Sequence, residues 1–593
     1  MTHARVAGRR ATALLAGTGL LVSAAIGTAG AAGAAGGPAS APPTGVNAPV
    51  STQECPDAFP GDELTPGQVL SGLTVAQGTQ PMPFVATVIG VLTDGIAPGL
   101  DMVMVDTSSA DITAAGGIWA GMSGSPVYAA DGRLVGAVAY GLAMGASPVA
   151  GITPADAMYA LRASDATPKD RVALPKASQQ ALVAAGAATA REAAGGLSTL
   201  PVPVGISGVS VARAQRFANR IDSRLDLSHA FATGSARAAN ATSPIIPGGN
   251  AAVALSYGDY TAAAVGTTTA VCDQQALLFG HPFLFEGSTT MSLHSADALY
   301  VQRDLITPFK VANPGGVVGT VTQDRLAGLG ARLDSDPPSA SVVSTLRNVT
   351  TGGSRTGTTR VVTSSYLADL AAFHTLVNAQ RVLDSAGDGV ARFTWTASGT
   401  SGGKPWSVSR SDVLADRWDI GFMLGFALYD PLWQINDFPR AAVTVDSVTL
   451  TGSLGETYRD REITKVQVKV GKKWVRVGGA RVPAVKAGRP AKVRVTTSPW
   501  KSSRAIRTVI TVPKPPRGFG YITVTGGGMD GFYFDDDFGV ATPATLPRLL
   551  TSIADQPRGD EIVVTWDGNR TVEVTKRLPQ FVTGYVEGEV SVG

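Results

Sequence analysis

Only two cysteines occur in this sequence, Cys55 and Cys272. In an oxidising compartment such an even pair forms one disulfide, here tying an N-terminal segment to a distant strand; two buried free thiols are the alternative. Charge is also scarce, at 16% Asp, Glu, Lys and Arg, and the net charge of +3 says little about partners. Hydrophobic residues reach 44% and glycine 70 of 593 positions, which argues against a disordered chain and for β-rich globular domains with many turns. The length exceeds one domain, and three or four are expected. No segment beyond the first 26 residues offers about 18 unbroken apolar residues, so no transmembrane helix is expected after the N-terminus.

That N-terminus carries Arg5, Arg9 and Arg10, an apolar run from Ala11 to Ile26, and small residues with several Ala-x-Ala-like sites at 29–36. The charged, apolar and small-residue order reads as a secretory signal peptide over 1–36, with a retained membrane anchor as the alternative. Export follows from the first reading, to the medium or to the cell envelope.

The remaining chain divides by pattern. Residues 37–66 are rich in Pro, Ala and Gly and read as a linker. Over 67–165 short apolar strands alternate with turns, as in Pro83–Val91 and Met102–Val105, and a short helix is expected near Ala155–Leu161. Residues 166–200 form a helical linker, its alanine-rich part at 176–194 holding only Gly186 inside and ending at Gly195-Gly196. A second β-rich block covers 201–345. A mixed connector covers 346–439, with helices expected at 366–385 and 409–430. Over 440–593, Val466, Val468, Val470, Val493 and Val495 alternate with Lys465, Gln467, Lys469, Lys492 and Arg494, the period of an antiparallel β-sandwich. Between 461 and 510, 14 Lys or Arg stand against one acidic residue, Glu462. That excess is either a solvated sheet face or a patch for an anionic cell-envelope polymer. Without interleaved aromatics no nucleic-acid partner is expected. The acidic cluster Asp530–Asp537 fits no calcium loop and reads as an exposed turn, so no metal or cofactor is expected.

One stretch carries chemistry. Residues 116–128, Gly-Gly-Ile-Trp-Ala-Gly-Met-Ser-Gly-Ser-Pro-Val-Tyr, crowd small residues around Ser123. Glycines there let the backbone turn sharply and approach a ligand closely. Val127-Tyr128 and Arg133–Val138 read as two strands joined at Asp131-Gly132, a strong hairpin signal. The second glycine of a G-x-S-x-G elbow is missing, which argues against an α/β-hydrolase esterase.

A serine hydroxyl needs a base, and only five histidines are available: His3, His229, His281, His294 and His374. His3 leaves with the signal peptide, so no histidine precedes Ser123 in the mature chain. His281, between Gly280 and Pro282 at the end of an apolar run, is the best candidate; a packed strand-end histidine is the competing reading. His294 alternates with apolar residues and reads as structural, and His229 and His374 have no supporting pattern. Asp106, ending the strand Val103–Val105, is the candidate orienting acid, with Asp111 as the alternate; an aspartate after a strand also commonly caps a turn.

These residues resemble the SpoIVB-type serine peptidases, a chymotrypsin-like family known from sporulation signalling. The resemblance rests on Gly116-Gly117-Ile118, Gly121-Met122-Ser123-Gly124-Ser125-Pro126, Leu134–Val138, Gly280-His281 and Gly316–Thr322, and covers roughly 67–345. It implies Ser123 as nucleophile, His281 as base, Asp106 as acid, and the N–H groups of Gly121 and Ser123 as oxyanion hole. The serine half comes first here, over 67–165, and the histidine half second, over 201–345. The implied fold is mainly β: a permuted chymotrypsin-like double β-barrel followed by the C-terminal sandwich, with a few connecting helices. The implied function is an exported serine endopeptidase of protein or peptide substrates acting through an acyl-enzyme, without cofactor. The rival from another class is a catalytically inactive exported binding protein of the cell envelope that retains the fold.

Overall fold

The computed structural model describes residues 55–161, 172–200, 203–237, 240–500, 502, 504–527 and 543–593. The expected signal peptide, most of the expected linker, the boundary at 165 and the Asp530–Asp537 cluster lie outside the described residues. The chain is mainly β, with 48% strand and 17% helix.

Six strands, β1 (Val69–Thr74), β2 (Met82–Ala97), β3 (Leu100–Ser108), β4 (Pro126–Tyr128), β5 (Leu134–Leu142) and β6 (Val149–Pro154), close into a barrel. All neighbours are antiparallel in the order β1-β2-β3-β6-β5-β4, and β4 returns to β1 through Ser71↔Tyr128 and Gly72↔Val127. The spatial run β4-β1-β2-β3 is a Greek key. Alternation drives closure: Leu70, Phe84, Ala86, Val88, Val105 and Val138 all point into one apolar cluster. Helix α1 (Ala110–Ala115) lies between β3 and β4, and α2 (Ala155–Ala160) follows β6.

The alanine-rich segment makes two helices, α3 (Lys176–Ala184) and α4 (Ala190–Gly195), where the composition suggests one. Gly186, at φ +69°, breaks the run, and Thr189 restarts it with a capping box to Glu192. A three-residue strand, β7 (Leu197–Thr199), then joins the barrel beside β5.

After β8 (Val204–Ile206), α5 (Val211–Arg220) and β9 (Phe231–Ala232) come β10 (Asn250–Gly258), β11 (Ala262–Cys272), β12 (Gln275–Leu278), β13 (Gly287–Gln302), β14 (Phe309–Arg325) and β15 (Gly328–Leu333). Their pairings run β10-β11-β12-β15-β14-β13 and return to β10, the same order as in the barrel, position by position. This ring belongs to a 13-stranded sheet that continues through β16 (Ala340–Asn348), β17 (Ser354–Val361), β18 (Gly389–Ser401), β19 (Lys404–Asp416) and β20 (Val443–Gly455). Helices α6 (Leu367–Leu383) and α7 (Ile420–Asn436) share its apolar core. The helix expected at 409–430 therefore begins later, at Ile420. Residues 404–416 are strand because Ser409 and Ser411 hydrogen-bond across to Thr396 and Thr394 on β18, at 2.9 and 2.7 Å, while Val408 and Val413 are buried.

The C-terminal part holds two five-stranded sheets around one apolar cluster. The first contains β21 (Asp460–Val470), β22 (Lys473–Arg476), β24 (Ala491–Ser498), β25 (Ile506–Val512) and β29 (Phe581–Thr583). The second contains β23 (Ala484–Val485), β26 (Gly518–Gly526), β27 (Glu561–Asp567), β28 (Val572–Arg577) and β30 (Tyr585–Val592), with α8 (Leu546–Asp555) inserted before β27. Val466, Val468, Val493 and Val495 are buried, while Lys465, Lys469 and Lys492 are exposed. Arg461 departs from the exposed basic face: it is buried and donates to Gln580 and to the Thr497 carbonyl. No helix among the described residues is long and apolar enough to cross a membrane.

Cys55 and Cys272 are disulfide-bonded across 217 residues, with Cα atoms 5.0 Å apart. Closing so long a loop restricts the unfolded chain, so replacing both cysteines by serine is expected to cost about 2–5 kcal/mol. Thermal unfolding of that variant, and of the native chain with and without reductant, checks this; equal transitions in all three would refute it.

Candidate active site at Ser123 and His281

The loop bearing Ser123 starts at α1, which is capped by Ser109 and ended by Gly116 in the left-handed region. Trp119 and Met122 are fully buried in the barrel and anchor the loop on either side of its turn. Two tight turns follow, Met122 N–H to the Trp119 carbonyl (3.0 Å) and Ser125 N–H to the Met122 carbonyl (2.8 Å). Gly124 donates to the Val138 carbonyl (2.8 Å) and Val138 donates to the Ser125 carbonyl (3.0 Å), clipping the loop to β5.

Its other side is stitched to the second ring. Thr267 N–H donates to the Ser123 carbonyl (2.8 Å), Thr267 Oγ1 to the Gly121 carbonyl (2.9 Å) and Thr269 Oγ1 to the Gly124 carbonyl (2.8 Å). Gly124 has φ +94°, and a Cβ there would lie 2.0 Å from the Thr267 carbonyl oxygen. Only glycine fits.

His281 follows β12 through Phe279 and Gly280, both at positive φ (+69° and +71°). Thr153 Oγ1 on β6 donates to the Gly280 carbonyl at 2.6 Å and fixes that turn against the barrel. His281 Nε2 lies 2.8 Å from Ser123 Oγ, and Nδ1 lies 2.8 Å from the Pro282 carbonyl oxygen. A carbonyl only accepts, so Nδ1 carries the proton and Nε2 presents its lone pair to the serine hydroxyl. Both side chains are buried, Ser123 at 0% and His281 at 1% exposure. Burial holds the imidazole pKa down to about 4, partly offset by the Pro282 carbonyl, so the ring is neutral at physiological pH.

Ser123 and His281 occupy equivalent loops: each lies between the third and fourth strands of its ring. The N–H groups of Gly121 and Ser123 have no acceptor among the described residues, although both residues are buried.

The two carboxylates singled out from sequence lie elsewhere. Asp106 sits in β3 between Thr87 and Val149, half-buried, its carboxyl raised by desolvation and making no hydrogen bond among the described residues. Asp111 is exposed in the first turn of α1. Neither bonds His281, whose Nδ1 is taken by Pro282. His294 bonds the Gly315 carbonyl and Ser292 inside the second ring, His374 bonds Thr359 and Ser344, and His229 is exposed.

Two further residues serve this region without a local motif to announce them. Asp324, fully buried at the end of β14, accepts from the N–H groups of Phe283 (2.8 Å) and Leu284 (2.7 Å), and so holds the loop that begins with His281. Desolvation raises its carboxyl, while bonds from the backbone at Phe283, Leu284, Glu286 and Phe285 lower it. Lys310 is buried against Gly121, whose added Cβ would meet the lysine Cβ at 2.9 Å. Its Nζ donates to Asn250 Oδ1 at 2.8 Å, and desolvation lowers its pKa to about 7. The strand phase carries a signal for it, since Lys310 shares the inward side of β14 with Ala312.

Among the described residues no group of three or more His, Cys, Asp or Glu is placed to hold a metal ion. Comparison of the chain with protein-family models, curated proteins and solved structures returns no match.

His281, His294 and His374 are all lowered to about 4, chiefly by burial. The unfolded imidazoles take up protons near pH 6.5, before the folded ones. Their stabilisation is therefore complete above about pH 6.5 and is lost as pH falls towards 4, by up to about 3 kcal/mol each. The unfolding temperature is expected to drop across that window, and a flat profile from about pH 6.5 to 4.5 would contradict the burial of neutral rings.

Proposed function

We propose that the chain is an exported serine peptidase whose reaction is carried by Ser123 and His281. The observation that carries this reading is the 2.8 Å contact of Ser123 Oγ with an Nε2 that must be the acceptor, beside two buried N–H groups without acceptors among the described residues. Ser123 Oγ attacks the peptide carbonyl carbon as its proton passes to His281 Nε2. The oxyanion is received by the N–H groups of Gly121 and Ser123. The C–N bond breaks as His281 returns the proton to the amine, leaving a Ser123 ester. Water, deprotonated by the same nitrogen, then hydrolyses that ester and frees the serine.

In this reading the Pro282 carbonyl performs the tautomer-fixing role that a carboxylate performs in a Ser-His-Asp triad. Asp324 acts one step removed, as a positioning residue that fixes the His281 loop. The shared strand order of the two rings, and the equivalent loops bearing Ser123 and His281, support the two barrels of a chymotrypsin-like peptidase with their order exchanged. The resemblance to SpoIVB-type peptidases agrees with this. The N-terminal sequence supports secretion or retention at the cell envelope, and the exposed lysines of the C-terminal sheets suit an anionic envelope polymer.

The second reading, an inactive exported binding protein with this fold, draws on one observation: Ser123 and His281 are both closed off from solvent. A fluorophosphonate probe separates the two. Labelling is expected in the wild type and absent in Ser123→Ala and His281→Ala. Because the base must be unprotonated, labelling should persist down to about pH 5 and fall near pH 4. Folded wild type that never labels, even when the site is opened, would leave the binding reading.

The orienting role is tested separately. Asp106→Ala is expected to leave labelling within about threefold, against the loss of about 10⁴-fold that removal of a true orienting carboxylate brings. Asp324→Ala should slow labelling at full folding, because buried N–H groups lose their acceptor, and Asp324→Asn should restore part of the rate. The reverse ranking would return the orienting role to Asp106.

A further inference from the structure

The barrel strand clipped to the serine loop carries an unusual neighbour. β5 is bound at Val138 to Gly124 and Ser125, and its next residue, Ala139, lies beside the His281 loop: a Cβ added to Gly280 would meet the Ala139 Cβ at 3.1 Å. From Ala139 onward, the outer edge of β5 is covered by the chain's own segment Leu197–Leu200. It runs antiparallel, pairing Leu197 with Leu142, Ser198 with Gly141 and Thr199 with Tyr140, and Leu200 N–H donates to the Ala139 carbonyl at 2.9 Å. Its direction leads towards the serine, so Leu200 is the residue of this segment nearest, along β5, to the Ser123 loop.

Leu200 is 5% exposed. Its side chain packs in the same apolar cluster as Ile118, Trp119 and Met122 of the serine loop. Gly141 makes the room: a Cβ there would stand 3.0 Å from Leu200 Cδ2 and 3.1 Å from Ile118 Cδ1. Leu197 holds the other end, pairing also with Val172. An extended peptide added to a free sheet edge gains main-chain hydrogen bonds for affinity and a side-chain pocket for specificity. The Leu197–Leu200 segment has both.

We propose that Leu197–Leu200 is an internal substrate mimic that fills the groove along β5 and holds the Ser123–His281 site shut. It follows that the site takes extended peptides with leucine at the residue pairing with Ala139. The apolar tip of the β13–β14 loop stands beside this groove, with Leu305 92% and Ile306 66% exposed and the Leu305 carbonyl bound to Ala146 N–H. The inference rests on the peptidase reading for its chemistry and on geometry alone for its occupancy, which allows the two to fail separately.

Occupancy is tested in the full chain carrying Ser123→Ala, using a fluorescein-labelled peptide Leu-Ser-Thr-Leu and fluorescence polarisation. The peptide should bind when Leu200→Asp or Ser198→Pro displaces the segment, the latter because proline cannot donate to the β5 ladder. It should not bind with the segment native, and a peptide ending in Asp should not bind at all. Thermal unfolding identifies which displaced variant is folded, and either one suffices. With Ser123 intact, the same substitutions should speed fluorophosphonate labelling by about tenfold or more, since one buried leucine then no longer sets the closed fraction. Equal peptide binding with and without the native segment, or none in a folded displaced variant, would overturn the mimic whatever the catalysis. Peptide binding without any labelling would keep the groove and overturn the peptidase reading.

Discussion

Everything at this site depends on how closely one peptide can approach another. Gly124 lies against the Thr267 carbonyl with no space for a side chain, and that approach brings the Ser123 carbonyl to the Thr267 N–H and the Gly121 carbonyl to its hydroxyl. Three short hydrogen bonds thus fix the serine loop to β11, while Gly124 and Ser125 fix it to β5. The loop belongs to both rings. His281 is bound in the same manner, emerging from the second ring but pinned through Gly280 to Thr153 of the barrel. The Ser123–His281 distance is therefore set by backbone contacts between the rings, and neither side chain has to search for the other.

The cost of this construction is desolvation. Both partners are out of water, and the histidine has a carbonyl where many such sites have a carboxylate. A carbonyl dipole fixes the tautomer, but it offsets an imidazolium charge less than an anion does, which agrees with the low pKa of the ring. Lys310, buried behind Gly121 with Asn250 as its hydrogen-bond partner, is lowered by the same desolvation. The balance favours a neutral resting state.

The two residues that meet at 2.8 Å were legible in the sequence because each sits in a local pattern. The glycine-framed Ser123 and the Gly280-His281-Pro282 turn are short motifs, and the alternation of Val466, Val468, Val493 and Val495 with lysines reports its face directly. What escaped depends on distance in the chain. Nothing near Asp324 says that it will receive the N–H groups of a loop 40 residues earlier. Asp106 looked suitable because it ends a valine-rich strand, yet its neighbours in space are Thr87 and Val149. The helix expected from residue 409 starts only at Ile420, because Ser409 and Ser411 find cross-strand partners in Thr396 and Thr394, residues that lie on a different strand. Two cysteines 217 positions apart leave a disulfide and two free thiols both open in the sequence, and only the 5.0 Å approach of their Cα atoms in space decides for the disulfide.

That disulfide has a topological consequence. It joins the residues just ahead of the barrel to the β11–β12 hairpin, and so encloses the whole barrel and the helical segment after it in one covalent loop. A break in the backbone anywhere between the two rings would not release either of them. The molecule would persist as two chains joined covalently by one sulfur bridge, in addition to the hydrogen bonds that already hold the loops of Ser123 and His281 against each other.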